Sequence, residues 1–179
     1  IAIAQYPTAY DFNYANFTAG NTTGSLSFNG YAGLGPGDVL RLVPAASYTS
    51  GSSFTTSKFP INVFNTFFRF RMSNLGNDGA DGITFTIQPV SASSVGGGGG
   101  GMGYSGIYPS VAVKFDIYQN QGFDVNSSFV AVVRNGDIST TFAGPYTTPT
   151  FHNLSNGNNW SCWLDYDGTT LDIYLAEST

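Results

Sequence analysis

A chain of 179 residues with 41% hydrophobic and 16% aromatic residues carries enough apolar side chain for a packed core, which excludes a disordered polymer. Charged residues are only 9% of the total, against about 25% in an average soluble domain, so Gly, Ser, Thr, Asn and Tyr carry the solubility. A net charge of −5, with two lysines and four arginines in all, excludes the basic surface that nucleic acid requires, and no apolar run reaches the ~18 residues of a membrane span.

The predicted elements are strands throughout. In chain order the first is Val39 to Val43, closed by Pro44. Val63 to Met72 follows, with Phe64, Phe68, Phe70 and Met72 on one face and Phe67, Arg69 and Arg71 on the other. Ile83, Phe85 and Ile87 then alternate with Thr84, Thr86 and Gln88. Beyond them lie Ser128 to Arg134 and Trp160 to Tyr166, and Asp167-Gly168 turns the chain into Thr170 to Leu175, with Leu171, Ile173 and Leu175 inward. Short alternating runs with Gly, Asn, Asp and Pro between them predict an all-β sandwich or barrel, with residues 1–179 as one domain.

Some features bound the chemistry. Cys162 is the only cysteine, so no internal disulfide and no cysteine zinc site can form; between Trp160 and Trp163 it reads as a small core residue. His152 is the only histidine and reads as a turn or surface residue. Asn16, Asn21, Asn126, Asn153 and Asn159 head Asn-x-Ser/Thr sequons. Gly96 to Gly101 is an uninterrupted glycine run, either a linker or a loop whose amides approach a ligand closely. No Lys-Ser/Thr follows it, so it is not a phosphate loop.

The segment Ser110 to Asn126, SVAVKFDIYQNQGFDVN, carries the most chemistry. Alternation places Val111, Val113, Phe115 and Ile117 on a core face and Lys114, Asp116, Tyr118 and Asn120 on the other. A turn at Gln121-Gly122 returns Asp124 towards Asp116. Two carboxylates, an amide oxygen and a carbonyl form either a hard oxygen cage for Ca²⁺ or an ordinary solvated strand face. The segment Asn77-Asp78-Gly79-Ala80-Asp81-Gly82 reads as a tight turn into Ile83.

Six pieces stand together in one order: DVLRLVPA, FNTFFRFRM, GADGITFTIQP, GGGMGYSGI, SVAVKFDIYQNQGFDVN and WSCWLDYDGTTLDIYL. In that combination the chain resembles the legume-type (L-type) lectins, in particular their bacterial-style relatives, from about Asp11 onward. The resemblance implies a concanavalin A-like jelly-roll sandwich with a curved front sheet and a flatter back sheet. It implies calcium held by Asp116, the Tyr118 carbonyl, Asn120 and Asp124. It also implies sugar contacts from Asp81, from Asn120, from a backbone amide near Gly101 or Gly103, and from Phe123 beneath the ring, with Ala80-Asp81 joined by a cis bond.

Two departures qualify it. The family pattern has Glu where Lys114 stands and His where Phe129 stands, residues that ligate a second, transition-metal ion; that site is expected to be absent, with the Lys114 ammonium balancing Asp116 and Asp124. The family also continues beyond the last strand here, so the expectation is a fragment, a homo-oligomer, or a partner chain supplying the C-terminal strands. The implied function is an extracellular, non-catalytic, calcium-dependent module whose partners are glycans. One alternative is a structural or adhesive subunit using the fold as scaffold. A sandwich glycoside hydrolase is the enzyme rival, but it needs a carboxylate pair and the Glu-x-Asp-x-x-Glu pattern, and the only glutamate here is Glu177.

Overall fold

In the computed structural model, residues 13–73, 79–146 and 153–178 are described, apart from the Tyr146 side chain. The expectations for Asp11, Asn77, Asp78 and His152 fall outside them. After a single helical turn, Ala19–Thr22, every long element is a strand: β1 (Leu26–Gly30), β2 (Gly33–Gly35), β3 (Val39–Arg41), β4 (Gly51–Thr55), β5 (Phe64–Phe70), β6 (Gly82–Ile87), β7 (Val111–Asp116), β8 (Phe129–Arg134), β9 (Ala143–Tyr146), β10 (Asn159–Tyr166) and β11 (Leu171–Ser178). They form a four-stranded sheet ordered β6-β7-β8-β9, a three-stranded sheet ordered β11-β10-β5, and the pairs β1-β4 and β2-β3, antiparallel throughout.

The two larger sheets pack face to face because alternation gives each an apolar side. From β10 come Trp160, Cys162 and Leu164; from β5 and β11 come Phe64, Phe68, Phe70, Leu171, Ile173 and Leu175. Opposite them stand Val113, Phe115, Ile117, Val130 and Val132, with Ile83 and Phe85. The Phe68 ring stacks on Phe85 at 5.5 Å and Phe70 meets Phe115 at 5.0 Å between centroids, so the layers are locked by aromatics. Burying one such ring stabilises by roughly 1.5–3 kcal/mol. Asp167 closes the β10–β11 hairpin as its carboxylate accepts the Thr169 and Thr170 amides, each at 2.7 Å.

The outward face of the three-stranded sheet carries Phe67, Trp163 and Tyr174 in one register row. They are 53%, 40% and 55% exposed, and Phe67 and Trp163 lie 5.1 Å apart, so this row faces solvent rather than the core.

Cys162 is a core residue, as its neighbours indicated, and burial pushes its thiol up to about 12. Folded protein at pH 8 should leave Cys162 unlabelled by a disulfide reagent, with full reaction only in denaturant; stoichiometric labelling of the native protein would contradict this.

Two details of the sequence reading change. Val111, assigned to the core face, is 43% exposed, because it opens β7 at the rim of the sandwich. The other face of β7 is not a solvated one: Ala112, Lys114 and Asp116 are each 1% exposed. A second apolar cluster of Tyr104, Ala112, Val133 and Ile138, with Met102 against it, covers that side of β7 and β8. The glycine loop and the segment after β8 thus form a further layer over the front sheet.

Candidate functional site

The antiparallel ladder between β6 and β7 assembles the site. Gly82 pairs with Asp116, and one step beyond the rung the Ile117 amide donates to the Asp81 carbonyl at 3.0 Å. Asp81 therefore stands at the entry to β6 beside the exit of β7, after a cis Ala80–Asp81 bond. Gly82 permits this close approach: its φ is +143°, and a β-carbon there would lie 2.2 Å from the Phe115 carbonyl oxygen.

The chain after β7 folds back on itself, as the Gln121-Gly122 turn predicts. The Asp124 amide donates to the Asn120 carbonyl at 3.2 Å, and the Asn120 amide donates to Asp124 Oδ2 at 2.9 Å. The Tyr118 amide donates to Asp116 Oδ1 at 3.1 Å. Between the two carboxylates sits Lys114 Nζ, 3.2 Å from Asp116 Oδ2 and 3.0 Å from Asp124 Oδ1. The same ammonium donates to the Ile138 carbonyl at 3.4 Å and lies 4.6 Å from the centre of the Phe129 ring. No side-chain pattern marked Ile138, because its contribution is a backbone oxygen.

Electrostatics follow burial. Asp116 is pushed up to about 6 by burial, which outweighs the Tyr118 amide and the Lys114 charge that favour its ionised form. Asp81 is raised by burial and by the Asp124 charge, against a lowering hydrogen bond from the Asn120 side chain. Asn120 thus links the Asp81 strand end to the Asp124 turn. Its Oδ1 is buried and accepts no hydrogen bond, an arrangement that costs about 1–3 kcal/mol unless a donor or cation meets it.

The glycine loop closes over this amide. Its 3₁₀ turn, Gly99–Gly101, brings Gly100 so near that a β-carbon there would lie 3.1 Å from Asn120 Nδ2, and one on Gly99 would lie 3.8 Å from Asp81 Oδ2. Of the two readings left open for the run, close backbone approach fits this packing and a linker does not. The Gly101 and Gly103 amides are engaged inside the loop, donating to the Gly98 and Gly97 carbonyls at 3.1 and 2.8 Å. Among the described residues, those of Gly99 and Gly100 meet no acceptor. Phe123 sits on the outer turn, 42% exposed, with its ring 6.0 Å from Lys114 Nζ. Asp81, Asn120, Asp116, Asp124 and the glycine loop are therefore one cluster.

The donors suit one kind of ion. Carboxylate, amide and carbonyl oxygens match a hard cation of the Ca²⁺ type, and the bare Asn120 Oδ1 is an acceptor such an ion would satisfy. Lys114 and Phe129 present an ammonium and a phenyl ring, neither of which ligates a transition metal. Among the described residues no three His, Cys, Asp or Glu side chains form a metal-binding group of any kind, the Asp residues of this cluster included.

An antiparallel jelly-roll sandwich with this loop pair at the end of β6 and β7 defines a lectin-type domain. A family model described as the legume lectin domain matches residues 9–179, and the chain belongs to that family. It is 34% identical over 150 residues to the L-type lectin-domain containing receptor kinase VIII.1 of Arabidopsis thaliana, which covers 80% of this chain and 20% of that protein. It is 24% identical over 140 residues to Protein ERGIC-53 of Homo sapiens, covering 77% of this chain and 27% of that protein. A Lectin-like protein of Arabidopsis thaliana is 28% identical over 152 residues, covering 72% of this chain and 53% of that protein. The chain thus spans about a fifth to a half of the length of these relatives. No described helix is long and apolar enough to cross a membrane.

Proposed function

We propose that this chain, as one domain over residues 1–179, is a non-catalytic carbohydrate-binding module that acts extracellularly and depends on a single calcium ion. Asp116, Asp124, the Asn120 side-chain oxygen and the Tyr118 carbonyl would hold the ion. The observation that carries this reading is Asn120: its oxygen is buried and bare, while its nitrogen faces Asp81 and Gly100. With its oxygen held by a bound cation, the Asn120 amide plane would be fixed and Nδ2 would be left to donate to an incoming hydroxyl. Asp81 accepts hydroxyl protons, Phe123 offers an apolar ring to the C–H face of the sugar, and an amide of the glycine loop donates. The expected donor is the amide near Gly101 or Gly103. Those two bond to the Gly98 and Gly97 carbonyls here, and the neighbouring Gly99 and Gly100 amides, which meet no acceptor among the described residues, are open to the same role. Partners held in place before binding lose little entropy on complex formation, which is how a few hydrogen bonds suffice for a neutral sugar.

The transition-metal site of the family does not fit these residues, since an ammonium and a phenyl ring stand where ligands are needed. Hydrolysis is disfavoured on geometry: Asp116 and Asp124 are bridged by Lys114 instead of flanking a cleft, and Glu177 on β11 accepts from Asn156 and Asn158 at 2.6 Å each. The solvent-facing row of Phe67, Trp163 and Tyr174 is what a scaffold or adhesive subunit would use. A glycan array read with calcium and again with EDTA separates the two. Binding that falls at least tenfold in EDTA and returns with calcium supports the lectin, whereas a calcium-loaded protein that captures no glycan leaves the scaffold.

A further inference from the structure

Lys114 is the least ordinary residue of the front sheet, an ammonium 1% exposed inside a β-sandwich. Burying a cation is costly unless every proton finds an acceptor. Here all three do: Asp116 Oδ2, Asp124 Oδ1 and the Ile138 carbonyl. The Phe129 ring adds its negative face at 4.6 Å. Each carboxylate then uses its other oxygen for a backbone amide, Asp116 for Tyr118 and Asp124 for Asn120. The turn from Ile117 to Asp124 is therefore tied to β7 at one end, to the segment after β8 at the other, and to itself between them.

We propose that Lys114 is a built-in cation that holds the 117–124 backbone in its binding shape in the calcium-free protein, and that the site consequently takes one divalent ion and no second. The proposal rests on the calcium reading given above and adds how the site behaves without the ion. Geometry supports the count. Lys114 Nζ stands between Asp116 Oδ2 and Asp124 Oδ1 and already returns a positive charge to that pair, so a second ion bridging the same two carboxylates would have to displace the ammonium. Calcium on this account does not build the loop; it completes Asn120 Oδ1, the acceptor the lysine does not reach. Lys114 is a positioning residue, acting on the sugar only through Asp116 and Asp124.

Hydrogen exchange of the full chain in EDTA tests this at the Tyr118 and Asn120 amides. In the wild type both should exchange at least tenfold more slowly than the intrinsic rate, and calcium should add little. In Lys114→Met that protection should fall tenfold or more in EDTA and return with CaCl₂, while amides of β8 and β10 stay protected. Should Lys114→Met not fold, the wild-type measurement in EDTA still decides. Freely exchanging loop amides in the calcium-free wild type, or a Lys114→Met loop as protected as wild type, would overturn the proposal. So would two metal ions per chain after dialysis against calcium and manganese together. A wild type that takes up no calcium by calorimetry yet keeps its loop amides protected would refute the calcium reading and leave the lysine clamp standing.

Discussion

Replacing Asp124 by alanine is expected to destabilise the protein by roughly 3 kcal/mol, the lower end of what breaking a buried ion pair costs. The loss is compound. Lys114 Nζ keeps Asp116 and the Ile138 carbonyl but loses its shortest contact, at 3.0 Å, and the Asn120 amide loses the acceptor that shapes the turn. The ammonium is then left with one carboxylate and one carbonyl for its three protons, in a layer walled by Phe129 and Ile138 where no other acceptor replaces Asp124. Calcium affinity should drop by more than the ~10–100-fold that losing an outer-sphere partner costs, because Asp124 is itself a proposed ligand. Urea denaturation and calcium titration of the same preparation measure both. Asp124→Asn should fall between wild type and alanine, since it keeps an oxygen for the Asn120 amide and gives up the charge. A stability change below about 0.5 kcal/mol for the alanine variant would mean that the ion pair sits in surface-like solvent, where such pairs are worth little.

Gly82→Ala is the second large effect, about 4 kcal/mol, and it arises from space rather than charge. An added β-carbon would stand 2.2 Å from the Phe115 carbonyl oxygen and 2.5 Å from the Met102 methyl, at a φ of +143°. Left-handed backbone costs a side chain roughly 1–2 kcal/mol, and overpacking adds about 1–3 kcal/mol. Gly157→Ala isolates the first contribution: its φ is +84° and nothing lies within 4 Å of the added carbon, so only about 1 kcal/mol is expected. Thermal or urea unfolding of the two variants should separate clearly. Equal losses would show that the β6–β7 rung yields to the methyl group.

Much of this molecule was legible in its residues because alternation is a direct record of sidedness. Phe64, Phe68 and Phe70 of β5 and Leu171, Ile173 and Leu175 of β11 face the core as their spacing says, and Asp167-Gly168 makes the turn between β10 and β11. Alternation does not say whether the polar side of a strand is covered. Lys114 and Asp116 were therefore open to a solvated reading, and only the layer of Met102, Tyr104 and Ile138 over them shows that they are buried. The same limit applies in the glycine run. Six identical residues carry no mark of which amide is free, and the engagement of Gly101 and Gly103 depends on how the loop winds. Ile138 had no signature at all, since its backbone and not its side chain meets the lysine.

The rung pairing Gly82 with Asp116 has a practical side. It acts as a fixed datum for both the acceptor at Asp81 and the carboxylate at Asp116, set by the sheet instead of by the loops that follow. Substitutions confined to the outer turn, at Gln121 and Phe123, lie beyond that datum and leave the ladder untouched. A library randomised there, with β6 and β7 held constant, would vary what the rim of the site touches while every member keeps the same origin for its chemistry.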